Sequence, residues 1–196
     1  MSSSARQPGR ELADKMSAFV QKAKCRSCCP TVALPLCVSV FHRREPQGYV
    51  NAVFKRILIV CIGNICRSPT AEYLFRRKLG SAGITISSAG LGAVVDDPMD
   101  ATALQLLTEH GIDAAAHRAR QLTPAMLLDA ELVLGMEQCH VDRMTRMVPE
   151  ASGRVFTLDK WLQARDIPDP YAQQRPAFEH VYQLISDGVD TWLPYL

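Results

Sequence analysis

A chain of 196 residues with a formal net charge of +2 has enough residues for one domain with a sizeable core. Its hydrophobic content of 47% is ordinary for a globular protein, and no apolar run reaches the ~18 residues that a membrane-spanning helix needs. The near-neutral total hides an asymmetry. Residues 1–56 carry ten Lys/Arg against three Asp/Glu, and residues 57–196 carry twelve against seventeen, but without aromatic interleaving or a recognition motif the basic head does not point to nucleic acid.

Residues 1–52 have no steady hydrophobic period and read as a basic N-terminal extension, poorly ordered or outside the conserved fold; residues 53–196 read as the working domain. The apolar run 31–41 follows Lys22, Lys24 and Arg26 in the manner of a signal-peptide core. It starts late and is followed by His42-Arg43-Arg44-Glu45, which argues against secretion. Cys25, Cys28 and Cys29 lack the second ligand pair of a zinc site. Val53 is a candidate non-AUG start, and peptides from residues 1–50 in the natural protein would exclude that. The body cysteines Cys61, Cys66 and Cys139 do not form a disulfide framework and suit a reducing, cytoplasmic setting.

From residue 57 strand and helix patterns alternate. Residues 57–60 predict a short buried strand. Ser68 and Pro69 predict a helix start, with Glu72 in the early, anion-favouring turn and Gly80 at the end. Residues 84–88 predict a second strand, and 100–110 a helix stopped by Gly111. Residues 132–136 predict a third strand, 137–147 a helix and 154–158 a fourth strand. Over 175–192, Phe178, Val181, Tyr182, Ile185, Val189 and Trp192 fall on one face of a last helix. This alternation implies an α/β fold: a small doubly wound sheet of four parallel strands with helices on both faces. Ligands in such sheets bind beyond the carboxyl ends of the strands, which points at a phosphate-binding loop after the first strand.

That loop reads Cys61-Ile62-Gly63-Asn64-Ile65-Cys66-Arg67-Ser68-Pro69. A phosphate monoester dianion needs several N–H donors converging on three oxygens, and a short loop closing onto a helix N-terminus supplies them. Gly63 permits a bend, and Asn64 tolerates a left-handed backbone. Arg67 brings a permanently charged planar fork. Cys61, at the loop entrance, lies where a nucleophile attacks phosphorus in line, and a helix N-terminus with an arginine favours the thiolate. Ser68 is placed to donate to the sulfur. Asp169, between Pro168 and Pro170, can protonate the leaving group and then accept a proton from water, with Asp166 as the competing carboxylate. Tyr171 can wall the crevice and stack on an aromatic substrate. His110 and His117 read as structural, Arg118 and Arg120 as surface charges, and Cys139 as inert.

The run Val60-Cys61-Ile62-Gly63-Asn64-Ile65-Cys66-Arg67-Ser68-Pro69-Thr70-Ala71-Glu72 resembles the signature of the low-molecular-weight protein tyrosine phosphatases. Ser87-Ser88-Ala89-Gly90, His110-Gly111-Ile112, His117-Arg118-Ala119-Arg120-Gln121 and Asp169-Pro170-Tyr171 match that family in order. SAGLGA at 88–93 and IPDPY at 167–171 are similar to its bacterial branch, which works beside tyrosine autokinases of capsule or exopolysaccharide export. The resemblance implies Cys61 as nucleophile, Arg67 as phosphate clamp and Asp169 as acid/base. It implies phosphate contacts from Ile62, Gly63, Asn64, Ile65, Cys66 and Ser68, a crevice lined by Leu91 and Tyr171, and a brace in which Ser88 and His117 hold Asn64. Cys66 is implied as a reversible disulfide partner for Cys61. The implied partners are phosphotyrosine proteins, including a bacterial tyrosine autokinase, met by a monomer that uses no metal and no cofactor.

Three rival activities share these features. Arginine phosphatases on the same fold carry threonine where this loop has Ile65. Thioredoxin-coupled arsenate reductases need a further cysteine pair, whereas Cys139 stands alone downstream. A phosphotyrosine-binding module without turnover would not need Cys61, Arg67 and Asp169 together.

Overall fold

The computed structural model describes residues 54–80 and 83–196, so the expectations for residues 1–52 lie outside the described residues. Strand β1 (Arg56–Cys61) is followed by helix α1 (Arg67–Leu79) and strand β2 (Thr85–Gly90). Helices α2 (Ala101–Glu109) and α3 (Pro124–Asp129) precede strand β3 (Leu132–Gly135). Helix α4 (Gln138–Met147), a 3-10 turn (Pro149–Arg154), strand β4 (Val155–Thr157) and helix α5 (Arg175–Trp192) complete the order, with a last 3-10 turn at Leu193–Tyr195.

The four strands form one sheet in the order β2-β1-β3-β4, and every pairing is parallel. Cys61 is in register with Gly90, and Val60 with Gly135, so three strands end at one level. The chain moves outward from β1 in opposite directions to β2 and to β3, which opens a crevice at the carboxyl end of β1. Every residue from Ile57 to Cys61 is at most 2% exposed, as expected for a parallel strand covered on both faces. Leu58 and Val60 pack with Val133, Leu127 of α3 and Met144 of α4. Successive side chains alternate across a strand, so Ile57 and Ile59 face the other side, where α1 packs on β1 and β2 and α5 packs on α1 and α2. Each fully buried aliphatic side chain contributes about 1.5–3 kcal/mol.

Helix α5 buries Phe178, Val181, Ile185, Val189 and Trp192 at helical spacing. Tyr182 is half-buried and stacks on His110, with 4.4 Å between ring centroids. The Trp192 indole donates to the Leu158 carbonyl at 2.9 Å.

Three local readings need correction. Helix α1 begins at Arg67, and Ser68 does not cap it; its hydroxyl turns to the Cys61 sulfur instead. Glu72 is 5% exposed and is held by Arg76 and Ser88, so its place comes from a buried polar network rather than from the helix dipole. Helix α3 has no counterpart among the predicted elements because six residues are too few to show a period. Its start was nevertheless marked: the Thr123 hydroxyl accepts from Met126 N at 3.3 Å, and Pro124 takes the first helical position.

Candidate active site

The loop between β1 and α1 is fixed by its carbonyls. Leu91 N donates to Cys61 O at 2.9 Å, Gly92 N to Ile62 O at 3.1 Å, and Val94 N to Gly63 O at 3.1 Å. His117 Nε2 lies 2.7 Å from Asn64 O, Asp100 N donates to Ile65 O at 2.8 Å, and Thr70 N and Oγ1 both reach Cys66 O. Six consecutive carbonyls therefore point away from the concave side of the loop. Across a trans peptide the N–H points opposite to the C=O, so the amides of residues 62–67 turn inward. They lead into the first turn of α1 and form a nest for an anion.

Asn64 is the hub of this arrangement. It is 0% exposed and adopts φ 58°, the left-handed region that β1-to-α1 closure requires. A Cβ on Gly63 would meet Ile65 Cγ1 at 3.5 Å, an ordinary contact, and Gly63 does not take a left-handed φ. The bend expected of Gly63 is thus made by Asn64. The Asn64 side-chain amide donates to Ser68 Oγ at 2.9 Å and to Ser88 Oγ at 2.8 Å, and its Oδ1 accepts from Arg120 N at 2.9 Å. The Ser88 hydroxyl in turn donates a hydrogen bond to the Glu72 carboxylate. Each donor and acceptor of this buried amide has a partner, which is the condition for a polar core to add rigidity.

Cys61 Sγ lies 2.9 Å from Ser68 Oγ and accepts from Asn64 N at 3.3 Å. Because Ser68 Oγ already accepts from Asn64, its proton is free for the sulfur. Cys66 occupies the cap position of α1 and is 5% exposed. Burial, together with the carboxylates of Asp100 and Asp169, pushes its thiol far above the ordinary range, so Cys66 stays protonated.

Arg67 is 2% exposed, and its charge is matched on three sides. Nη1 donates to Glu137 and to Ile167 O at 2.9 Å, and Nη2 donates to Asp169 Oδ2 at 2.6 Å. Burial raises the Glu137 carboxyl, but the Arg67 hydrogen bond and charge outweigh it and hold the group below its usual value. Asp169 and Asp166 are separated by their partners. Asp166 Oδ1 accepts from Gln138 N at 2.7 Å and caps α4, whereas Asp169 faces Arg67 and takes Tyr171 N at 3.2 Å.

These groups border a crevice of about 220 Å³ lined by Cys61, Ile62, Gly63, Ile65, Cys66, Arg67, Gly92, Val94, Asp169 and Tyr171. Tyr171 is 61% exposed and forms an outer wall. Leu91 does not line the crevice. It is 6% exposed and packs with Leu58 and Val60, while the next residues, Gly92 and Val94, supply the wall. The shift follows from Leu91 N pairing with Cys61 O, which extends β2 by one residue and turns the side chain into the core.

Glu137 and Gly90 were missed as site residues, and Arg120 was read as a surface charge. Glu137 lies two residues past the end of β3, so the strand-end rule could have found it. A methyl group on Gly90 would collide with the Ile62 carbonyl oxygen and lie 3.0 Å from Ala93, so only glycine lets β2 pass under the loop. The exposed Arg120 braces the loop through its backbone N–H and through Nε on Ser88 O at 2.6 Å; a backbone contact leaves no mark in side-chain identity.

The family profile for "low molecular weight phosphotyrosine protein phosphatase" matches residues 56–196. The low molecular weight protein-tyrosine-phosphatase Etp of Escherichia coli (strain K12) is 40% identical over 139 residues, covering 71% of this chain and 93% of Etp. Among solved structures, Vibrio vulnificus Wzb in complex with benzylphosphonate is similar with a TM-score of 0.69 at 39% identity, over 73% of this chain and 99% of that one. The YwlE arginine phosphatase from Geobacillus stearothermophilus has a TM-score of 0.65 at 34% identity, over 69% of this chain and 88% of its own.

Proposed function

Because the chain belongs to the low molecular weight phosphotyrosine protein phosphatase family, we propose that it hydrolyses phosphotyrosine in proteins through a cysteinyl-phosphate on Cys61. The observation that carries this reading is the meeting of the Cys61 sulfur, the Arg67 guanidinium and the Asp169 carboxyl at one crevice whose loop amides face inward. A dianionic phosphate entering the nest accepts hydrogen bonds from the inward amides of the loop, while the Asn64 N–H stays on the Cys61 sulfur. It displaces Asp169 from Arg67 Nη2, while Glu137 and the Ile167 carbonyl keep hold of Nη1.

The thiolate of Cys61, stabilised by the Ser68 hydroxyl and Asn64 N–H, attacks phosphorus in line. An S–P bond forms, the P–O bond to the tyrosine breaks, and protonated Asp169 gives its proton to the phenolic oxygen. Water then attacks the same phosphorus and Asp169 takes a proton from it. The S–P bond breaks, leaving inorganic phosphate and the thiolate. The inward amides and Arg67 stabilise charge on the equatorial oxygens in both steps.

Ile65 and Tyr171 support an aryl substrate over phosphoarginine, since both present apolar surface to the crevice that receives the ring. Within that class we assign phosphotyrosine on a tyrosine autokinase of capsule or exopolysaccharide export, by resemblance to the bacterial branch. A reaction on a reduced thiol needs a reducing compartment, which supports the cytoplasm, and one chain supplies the whole site, which supports a monomer. We assign a protective switch in which a peroxide oxidises the Cys61 thiolate to a sulfenic acid, its O–O bond breaking, and the Cys66 thiol then attacks that sulfur with loss of water to form the disulfide.

The test is rapid acid quench with labelled phosphotyrosine peptide. A phosphorus-labelled adduct on Cys61, absent in Cys61→Ser, is expected; turnover without an S–P adduct overturns the mechanism. Parallel assays on phosphotyrosine and phosphoarginine peptides decide the substrate, with the tyrosine ester favoured.

A further inference from the structure

Helix α4 begins beside Arg67 with three potential metal ligands of different chemistry. Glu137 Oε2 is 3.5 Å from Cys139 Sγ, and Glu137 Oε1 is 3.4 Å from His140 Nε2. One ligand atom from each residue can be chosen so that all lie within 4.8 Å of one another. A tetrahedral zinc ion with bonds of about 2.0–2.3 Å sets its ligand atoms about 3.3–3.8 Å apart. Oε1 already stands in that range from His140 Nε2 and Oε2 from Cys139 Sγ, so each oxygen of the Glu137 carboxylate faces one of the other two ligands.

His140 supplies the independent observation. Its side chain is 0% exposed, and neither ring nitrogen has a hydrogen-bond partner among the described residues. A buried polar group without a partner costs about 1–3 kcal/mol, and native interiors seldom keep one without a use. Its Nε2 is aimed at the Glu137 carboxylate but does not meet it as a hydrogen bond. The structure thus holds an unspent imidazole lone-pair position next to a carboxylate and an exposed thiol.

We propose that Glu137, Cys139 and His140 form a site for one zinc ion, or a divalent transition ion of similar softness, with solvent in the fourth position. Cys139 gives its thiol proton to solvent on coordination, and the exposed sulfur is the entry point. The nitrogen–sulfur–oxygen set selects zinc or cobalt over magnesium or calcium, which prefer all-oxygen shells. Glu137 also pairs with Arg67, so its carboxylate bridges the metal and the phosphate site. The ion takes no part in the phosphatase reaction, and the site stands on its own geometry.

The test compares the full chain with Cys139→Ser, a surface substitution outside the crevice. Both are reduced, loaded with zinc by equilibrium dialysis, and assayed for bound metal per chain. The difference removes zinc held by any of the other six cysteines, which both proteins share. Wild type is expected to bind one equivalent more than Cys139→Ser. On loading with cobalt it should show a thiolate-to-cobalt charge-transfer band, also lost in Cys139→Ser. Cys61→Ser should keep that equivalent and that band. His140→Gln is expected to lose the equivalent while keeping the melting temperature of the metal-free protein. Equal zinc stoichiometry and equal cobalt spectra in wild type and Cys139→Ser overturn the proposal.

Discussion

Arg67 at the start of α1 is ion-paired with Glu137 at the threshold of α4, a residue 70 positions later in the chain. The pair joins the two helix starts that flank the carboxyl end of the sheet, and it holds the guanidinium fork through Nη1 while Nη2 pairs with Asp169 at the crevice. Glu137→Gln keeps the shape and removes the charge. Stability should fall by about 1–3 kcal/mol, less than for a fully buried pair because Glu137 is 26% exposed. kcat/KM for an aryl phosphate should fall about tenfold, roughly 1.4 kcal/mol, as the fork loses its preset orientation. Denaturant melts and steady-state kinetics measure both, and unchanged kcat/KM would show that Ile167 O and Asp169 position Arg67 without help.

Asn64 carries the loop's left-handed turn and three side-chain hydrogen bonds. Asn64→Ala should lose about 2–4 kcal/mol of stability from unpaired buried partners and backbone strain. Asn64→Gly should recover about 1 kcal/mol of that by accepting the positive φ. Both should lose more than about tenfold in kcat, because neither orients Ser68 toward the sulfur. If Asn64→Gly turns over like wild type, the amide network is not needed for the chemistry.

The two nearby carboxylates should separate cleanly. Asp169→Asn is expected to lower kcat by about 10²–10⁴-fold with poor leaving groups and least with good ones, the pattern of a missing general acid. Asp166→Ala should cost about 0.5–2 kcal/mol of stability through the lost α4 cap and leave the leaving-group dependence of kcat unchanged. A leaving-group series on both variants reads this out; equal losses across the series for Asp169→Asn would remove it from the acid role.

Gly90→Ala puts a methyl against the Ile62 carbonyl and Ala93. The loop or β2 must move, so a stability loss of about 1–3 kcal/mol is expected together with weaker inhibition by inorganic phosphate, since the amides of the nest shift with the loop. Wild-type phosphate inhibition in a destabilised Gly90→Ala protein would show that the nest is insensitive to this contact.

Cys66 has a thiol raised by burial and by neighbouring carboxylates. A raised value means the thiolate is scarce throughout neutral and mildly alkaline solution, so iodoacetamide at pH 7–9 should label Cys61 well before Cys66. Dilute peroxide should then give a Cys61–Cys66 disulfide that a dithiol reverses, and Cys66→Ser should inactivate irreversibly. Peptide mass mapping follows each species; sulfinic Cys61 as the first stable product in wild type would exclude the switch.

Strand, loop and helix are contiguous around Cys61, so local chemistry made that part of the site readable. A buried apolar run, a thiol, an asparagine able to take a positive φ, an arginine and a helix start all fall within a few residues, and the alternating elements dictate parallel pairing. Side-chain direction was not readable. In sequence Ser68 reads both as a helix cap and as a donor to the sulfur, and only the folded loop selects the second; whether Leu91 lines a crevice or joins the core depends on how β2 pairs with β1. The flanking prolines and the family motif favour Asp169 over Asp166 in sequence, and the fold adds that Asp166 takes the Gln138 amide at the start of α4 while Asp169 takes Arg67. Glu137, Gly90 and Arg120 act across the crevice from separate segments, through an ion pair, a close approach and a backbone amide. Such contacts are set by packing in three dimensions, and residue order alone does not encode them in any local pattern.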